Sequence, residues 1–515
     1  MILRQLDLVI IVVYMAAMLL VGRFFARRQT NTETYFVAKR AIPHWAMGVS
    51  IYAALITSIT FIAYPGSAYA GNWVELVPGI MVIVVLLLAG AVIIPFYRRV
   101  VRMSVYEYFE RRFGYGVRAY SAFAFAIGHF TKMGFVFYTT SLVVSGMTGW
   151  NIYLVMLGTG AVTIYYTVIG GLEAVIWTDV IQGFVKCIGI FVVLGCLWHA
   201  MPGGLTAAFS LAQAHHKFSL GSLDFDLASK NSAWVMLIYG FFWYIQRYTA
   251  DQVLVQRYLV ARTDREALKG VAFGVLLCLP VWTLFMLIGT LTWAYYQLSG
   301  ETLPSFVDKA DKVFPYFLGT KVPAGLAGLF MASLFSAAMA MLSSDLNCIA
   351  VVGVEDFYRR LRPQAPDARR LWVGKCLIAT FGTLAILIAV IIAWKSERVL
   401  SFYFTATSIV AGGLAGLFAL AFLSPRANRQ GAAIGILATL VFTTYATVTA
   451  AGSRVLDLGR FNFPWAGVLI GVAANFVLLG VGYLASLAFP RPDAAVREMT
   501  LWGWLERRKA EGGTR

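Results

Sequence analysis

Runs of about 20 apolar residues, long enough to cross a hydrocarbon layer of about 30 Å at about 1.5 Å per helical residue, recur along the chain. "LVIIVVYMAAMLLVG" near the start and "LCLPVWTLFMLIGTLTW" near the middle are typical. None shows the alternation of period two that a membrane barrel requires, so the runs are read as helices. Of the 515 residues 60% are hydrophobic and only 13% charged, against roughly half and a quarter in a soluble domain. The expected fold is an all-α polytopic membrane protein with about 13 transmembrane helices. Apolar windows place them at roughly 5–25, 43–70, 76–97, 119–148, 150–169, 175–201, 232–252, 267–298, 323–352, 371–394, 399–423, 430–450 and 462–489.

The formal charge of +17 invites a nucleic-acid reading, but its distribution argues otherwise. Loops such as "YRRVVRMSVYEYFERRFGYGVR" and "EDFYRRLRPQAPDARRLWVGK" hold most of the Lys and Arg, and they fall on one side of the span pattern. By the positive-inside rule that side is cytoplasmic, with the tail inside and the N-terminus outside, in a plasma or bacterial inner membrane. The surplus is then a topology signal, and no nucleic-acid partner is expected. Cys187, Cys196, Cys278, Cys348 and Cys376 lie in or beside apolar runs without metal spacing and read as packing residues. His215 and His216 read as solvated loop residues.

Three spans carry polar residues where the bilayer should be thick. The second holds Ser50, Thr57, Ser58 and Thr60 ahead of Pro65-Gly66; the seventh holds Gln246, Arg247, Thr249, Asp251 and Gln252; the ninth holds Ser333, Ser336, Ser343, Ser344 and Asp345. A mid-helix charge costs about 2.5 to 3.5 kcal/mol on insertion scales, so such residues face protein, water or ligand. The second and seventh spans are five helices apart. Setting the first helix aside leaves two five-helix units, each opening with an interrupted helix and, five being odd, of opposite orientation. This is the inverted-repeat pattern of secondary transporters. The division is 1–42 for the extra helix and a cytoplasmic loop, 43–231 for the first unit with an external loop, 232–425 for the second, 426–490 for two added helices and 491–515 for a cytoplasmic tail. An interrupted helix frees carbonyl oxygens that, with hydroxyls from a facing helix, can cage a small cation. Ser333 and Ser336 share a helical face and suit that second half; small-residue helix packing suits them equally.

"GGLEAVIWTDVIQG", "ADQVLVQRYLVARTDREALKG", "FYRRVVRMSVYEYFERRFG" and "EDFYRRLRP" together resemble signatures of the sodium:solute symporter family, in order and at the right places between spans. The resemblance implies a leucine-transporter-like core of ten helices, in two inverted units of five, with one helix before and two after. It implies sodium as coupling ion and no organic cofactor, with backbone oxygens from Ala53, Ile56 and Ser333 and a hydroxyl from Ser336. The next family hydroxyl falls on Ala337, a departure that leaves a compensating water, weaker sodium affinity or proton coupling open. Asp179 stands where the family motif puts its acid and would hold negative charge near the sodium exit path. Capping of the helix after Gly171 by Thr178 or Asp179 is the alternative. Lys186 receives no role.

The resemblance also places the solute beside the broken helices, near Thr57, Ser58, Thr60, Gln246, Arg247 and, on the fourth span, His129 and Lys132. Arg247 and Lys132 together point to an anionic solute, a small carboxylate or acidic sugar; pairing of Arg247 with Asp251, four residues on, is the competing reading. Phe404 and Thr405 make a neutral hexose less expected. Tyr52, Phe61, Tyr244 and Tyr248 are gating candidates, with packing as their alternative. The expected function is sodium-coupled symport of a small organic solute by alternating access, across a lipid bilayer, with the oligomeric state open. The alternatives are a sodium-independent or proton-coupled carrier, a neutral sugar or polyol symporter, and a sensory module, disfavoured because no output domain is seen. No catalytic constellation is present, so an enzyme is not expected.

Overall fold

The computed structural model describes residues 5–26, 31–38, 41–305, 307–395, 412–450 and 456–512. The spanning helices and their halves are α1 (Gln5–Ala26), α2 (His44–Leu55), α3 (Ser58–Ala70), α4 (Val77–Val85), α5 (Ala91–Val100), α6 (Tyr115–Thr148), α7 (Ile152–Ala200) and α8 (Ala233–Thr249). They continue as α9 (Gln252–Leu259), α10 (Asp264–Ser299), α11 (Leu326–Val352), α12 (Asp367–Lys395), α13 (Leu414–Leu423), α14 (Arg429–Thr449) and α15 (Ile470–Leu487). Among the described residues seven helices are long and apolar enough to cross a membrane, or nine when each bent pair is one span. The described helices lie where the sequence placed its spans, but these criteria do not by themselves reach thirteen. Much of the expected eleventh span, with Phe404 and Thr405, lies outside the described residues.

Both expected interruptions are present. Between α2 and α3 the axis turns by 58°, with Ile56 and Thr57 in extended conformation. Thr57 opens α3 with a capping box in which Thr60 returns its side chain to the Thr57 N–H, a start signal written into the sequence as Thr-Ser-Ile-Thr. The second break separates α8 from α9 at Ala250 and Asp251; the Asp251 carboxylate caps α9 by accepting from the Val253 N–H at 2.8 Å.

The fifth and sixth expected spans are joined in α7, whose path breaks at Gly171 (φ 61, ψ −165). That region is almost closed to side-chain-bearing residues, which explains the Gly-Gly step. Asp179 therefore lies two turns inside a helix, and its side chain caps nothing.

α11 is buried along nearly its whole length and runs beside α7. Approach is close because Gly189 faces Ser333: a Cβ on Gly189 would stand 2.4 Å from the Ser333 Cβ. α2 meets α10 through Gly48 and Gly274, where a Cβ on Gly274 would fall 2.4 Å from the Gly48 carbonyl oxygen. Small residues thus draw α2, α7, α10 and α11 together around the first break.

Candidate functional site

The C-terminal end of α2 presents carbonyls that no following helical turn can satisfy, and the helix dipole makes this end negative. Lys186, fully buried on α7, fills it. Its Nζ donates to the Ala53 carbonyl at 2.5 Å and to the Ile56 carbonyl at 2.9 Å. These are the two oxygens expected to hold a cation. Ser333 and Ser336 are turned to the α7 backbone: the Ser333 hydroxyl donates to the Lys186 carbonyl at 3.4 Å and the Ser336 hydroxyl to the Gln182 carbonyl at 2.8 Å. Ala337 is buried beside them and offers only a methyl group.

Seven residues before Lys186, and so on the same face of α7, Asp179 is buried against Arg257 of α9. Asp179 Oδ2 accepts from Arg257 Nη2 at 2.9 Å and from the Ser50 hydroxyl at 2.5 Å. Arg257 also donates to the Ser50 hydroxyl at 2.9 Å, the Ser344 hydroxyl at 2.5 Å and the Val253 carbonyl at 2.8 Å. The other oxygen, Asp179 Oδ1, and the amide oxygen of Gln182 are buried without a hydrogen-bond partner among the described residues. The pair ties α2, α7, α9 and α11 together. Sequence reasoning quoted the segment containing Arg257 but gave it no partner.

A second group of charges lies at the α8–α9 break. A cavity of about 440 Å³ is lined by His129, Lys132, Gln246, Arg247, Asp251 and Asn475 with aromatic walls from Phe125, Tyr239, Phe242 and Trp243. Arg247 pairs with Asp251, four residues on, as the helical spacing allowed, and its guanidinium lies over the Trp243 ring at 5.1 Å. Lys132 pairs with Asp345 of α11 at 3.1 Å. His129 joins the two acids, with Nδ1 2.9 Å from Asp345 and Nε2 3.6 Å from Asp251. Two cations and two carboxylates balance; the Arg247 and Lys132 side chains keep 18% and 26% of their surface open, enough to donate to a ligand as well.

The remaining candidates are not in this cavity. Ser58 accepts a hydrogen bond from the Thr140 hydroxyl at 2.9 Å, locking the start of α3 to α6, and Thr57 and Thr60 are engaged in the capping box. Among the gating candidates, Tyr52 touches the Cys187 sulfur at 3.3 Å and Phe61 packs on Phe285 with ring centroids 4.5 Å apart. Tyr244 lies against Trp282, and Tyr248 donates to the Val82 carbonyl at 3.4 Å. All four are buried.

Broken helices, buried carbonyls held by an ammonium at one break and a polar cavity at the other form a transporter's plan, and comparison with known proteins decides which. The sodium:solute symporter family model matches residues 35–439. The chain belongs to this family. It is 30% identical over 480 residues to the sodium/sialic acid symporter NanT of Aliivibrio fischeri, covering 92% of each protein. It is 31% identical over 431 residues to the sodium/sialic acid symporter SiaT of Proteus mirabilis, covering 83% of this chain and 86% of that one. A solved structure of a Na+-coupled sialic acid symporter in a substrate-bound outward-open state superposes with a TM-score of 0.87 at 29% identity, covering 95% of this chain and 99% of that one. This symporter is a multi-pass membrane protein of the leucine-transporter type and not an enzyme; the coupling ion of its family is sodium.

Proposed function

We propose that this chain carries a small acidic sugar of the sialic acid type into the cell, driven by the cation gradient that its family uses. The observation that carries the reading is the meeting of Arg247, Lys132 and Gln246 in one cavity at the second break. Its volume of about 440 Å³ is within the range of small-ligand pockets. A guanidinium and an ammonium supply directed donors for a carboxylate, Gln246 and Asn475 suit hydroxyl groups, and the aromatic walls suit the apolar face of a sugar ring. Because Asp251 and Asp345 already balance the two cations, the carboxylate is held by hydrogen bonds and not by an excess of positive charge. Kinship with two sialic acid symporters supports this choice over a neutral hexose.

Sodium is accommodated near Asp179, where two buried oxygens without partners among the described residues, Asp179 Oδ1 and Gln182 Oε1, are the hard acceptors that such an ion takes. The external N-terminus and cytoplasmic tail follow from the distribution of basic residues. Counterflow in proteoliposomes tests the solute assignment. Vesicles loaded with a sialic acid should exchange it for labelled sialic acid and ignore neutral hexose, and Arg247→Ala should abolish the exchange. Equal exchange of hexose, or an unaffected Arg247→Ala variant, would remove the assignment.

A further inference from the structure

The carbonyl end of α2 already holds a cation. We propose that the ammonium of Lys186 is the resident cation of this cage and that it and a sodium ion exclude one another there. Three observations point the same way. Nζ makes hydrogen bonds to Ala53 and Ile56, the two backbone oxygens exposed by the break, and both acceptors are neutral. The facing helix offers a methyl group at Ala337. The Ser333 and Ser336 hydroxyls are turned to carbonyls of α7. A sodium ion at the carbonyl pair would then find two ligands already used and a like charge within about 4 Å. At an effective dielectric constant near 20, that repulsion alone weakens binding about a thousandfold.

The lysine thus does what a bound ion does: it neutralises the negative end of α2 and fastens the broken helix to α7. The groups facing it are Asp179 and Cys187 on its own helix, Tyr52 on α2, Arg257 on α9 and Cys278 on α10. One turn earlier on α7, Gln182 and the Ser336 hydroxyl of α11 face Tyr14 of α1. Asp179 is the one carboxylate in this set, and it is engaged by Arg257. Sodium coupling by this chain would therefore run through the Asp179 region and not through the α2 cage.

The inference rests on the proposed symport only for the direction of the cycle; sodium counting needs no solute, so the two can fail separately. Binding of ²²Na+ to the purified full-length chain is measured for wild type, Lys186→Ala and Lys186→Ala/Ala337→Ser. One additional sodium ion per chain is expected in Lys186→Ala, held more tightly in the double variant, whose Ala337→Ser change restores the hydroxyl. The same number of ions in all three overturns the proposal. Lys186→Gln, which keeps amide donors for both carbonyls without the charge, protects the test against misfolding of the alanine variant. Lys186→Gln should likewise bind more ²²Na+ than wild type; binding equal to wild type in both Lys186→Gln and Lys186→Ala overturns the proposal.

Discussion

Replacing Asp179 by Asn keeps the shape of the side chain and removes the negative charge that faces Arg257. The two groups are 2.9 Å apart with side-chain exposures of 0% and 1%, so no water compensates. Breaking such a pair from one side typically costs about 3 to 5 kcal/mol, because the surviving ion is left buried and unmatched. The upper end applies here, since Lys186 is a second buried cation that interacts with Asp179. Arg257→Gln should cost a similar amount, leaving Asp179 with the Ser50 hydroxyl and no guanidinium. The double variant Asp179→Asn/Arg257→Gln leaves neither charge and should be more stable than either single variant, although their separate losses would sum to about 6 to 10 kcal/mol if additive. Thermal unfolding in detergent, followed by intrinsic fluorescence in sodium-free choline buffer so that ion binding adds nothing, should rank the midpoints as wild type, double variant, single variants. A single variant that melts with wild type, or a double variant whose loss equals the sum, would refute the reasoning.

Three further outcomes follow from local geometry. Gly171→Ala forces a Cβ into φ 61, ψ −165, and should destabilise by about 1 to 3 kcal/mol, read as a lowered unfolding midpoint. Gly274→Leu introduces a side chain whose first carbon meets the Gly48 carbonyl at 2.4 Å; it should push α10 from α2 and abolish uptake in proteoliposomes while Cys278→Ala, one turn on, leaves it measurable. Asp7→Asn weakens the acceptor that binds the Gly325 and Gly328 N–H groups at 2.7 Å each. At the N-terminal end of α11 that charge is worth about 1 to 2 kcal/mol, checked by the same melting assay.

The sequence disclosed the architecture because its signals are local. Polar residues inside apolar runs marked both helix breaks, Gly170-Gly171 marked the turn within α7, and the four-residue spacing gave the Arg247–Asp251 pair. What stayed hidden depends on contacts between distant segments. Asp179 and Arg257 are 78 residues apart, and nothing in either segment names the other. Lys132 and Asp345 each stood out as a charge in a span, but their pairing is set by how α6 packs on α11. Lys186 was conspicuous as an amine in an apolar run, and Ala337 as a missing hydroxyl. Only the packing of α7 on the end of α2 at Gly183, and on α11 at Gly189, shows that the two departures concern one cage.

Uphill accumulation is the direct measure of a symporter. Proteoliposomes holding the purified chain, with inward gradients of both sodium and protons and an inside-negative potential, should take up labelled sialic acid transiently above its equilibrium level. Collapsing the gradients should return the vesicles to that level. Uptake that rises only to equilibrium whatever gradient is imposed would show a passive carrier and contradict the account.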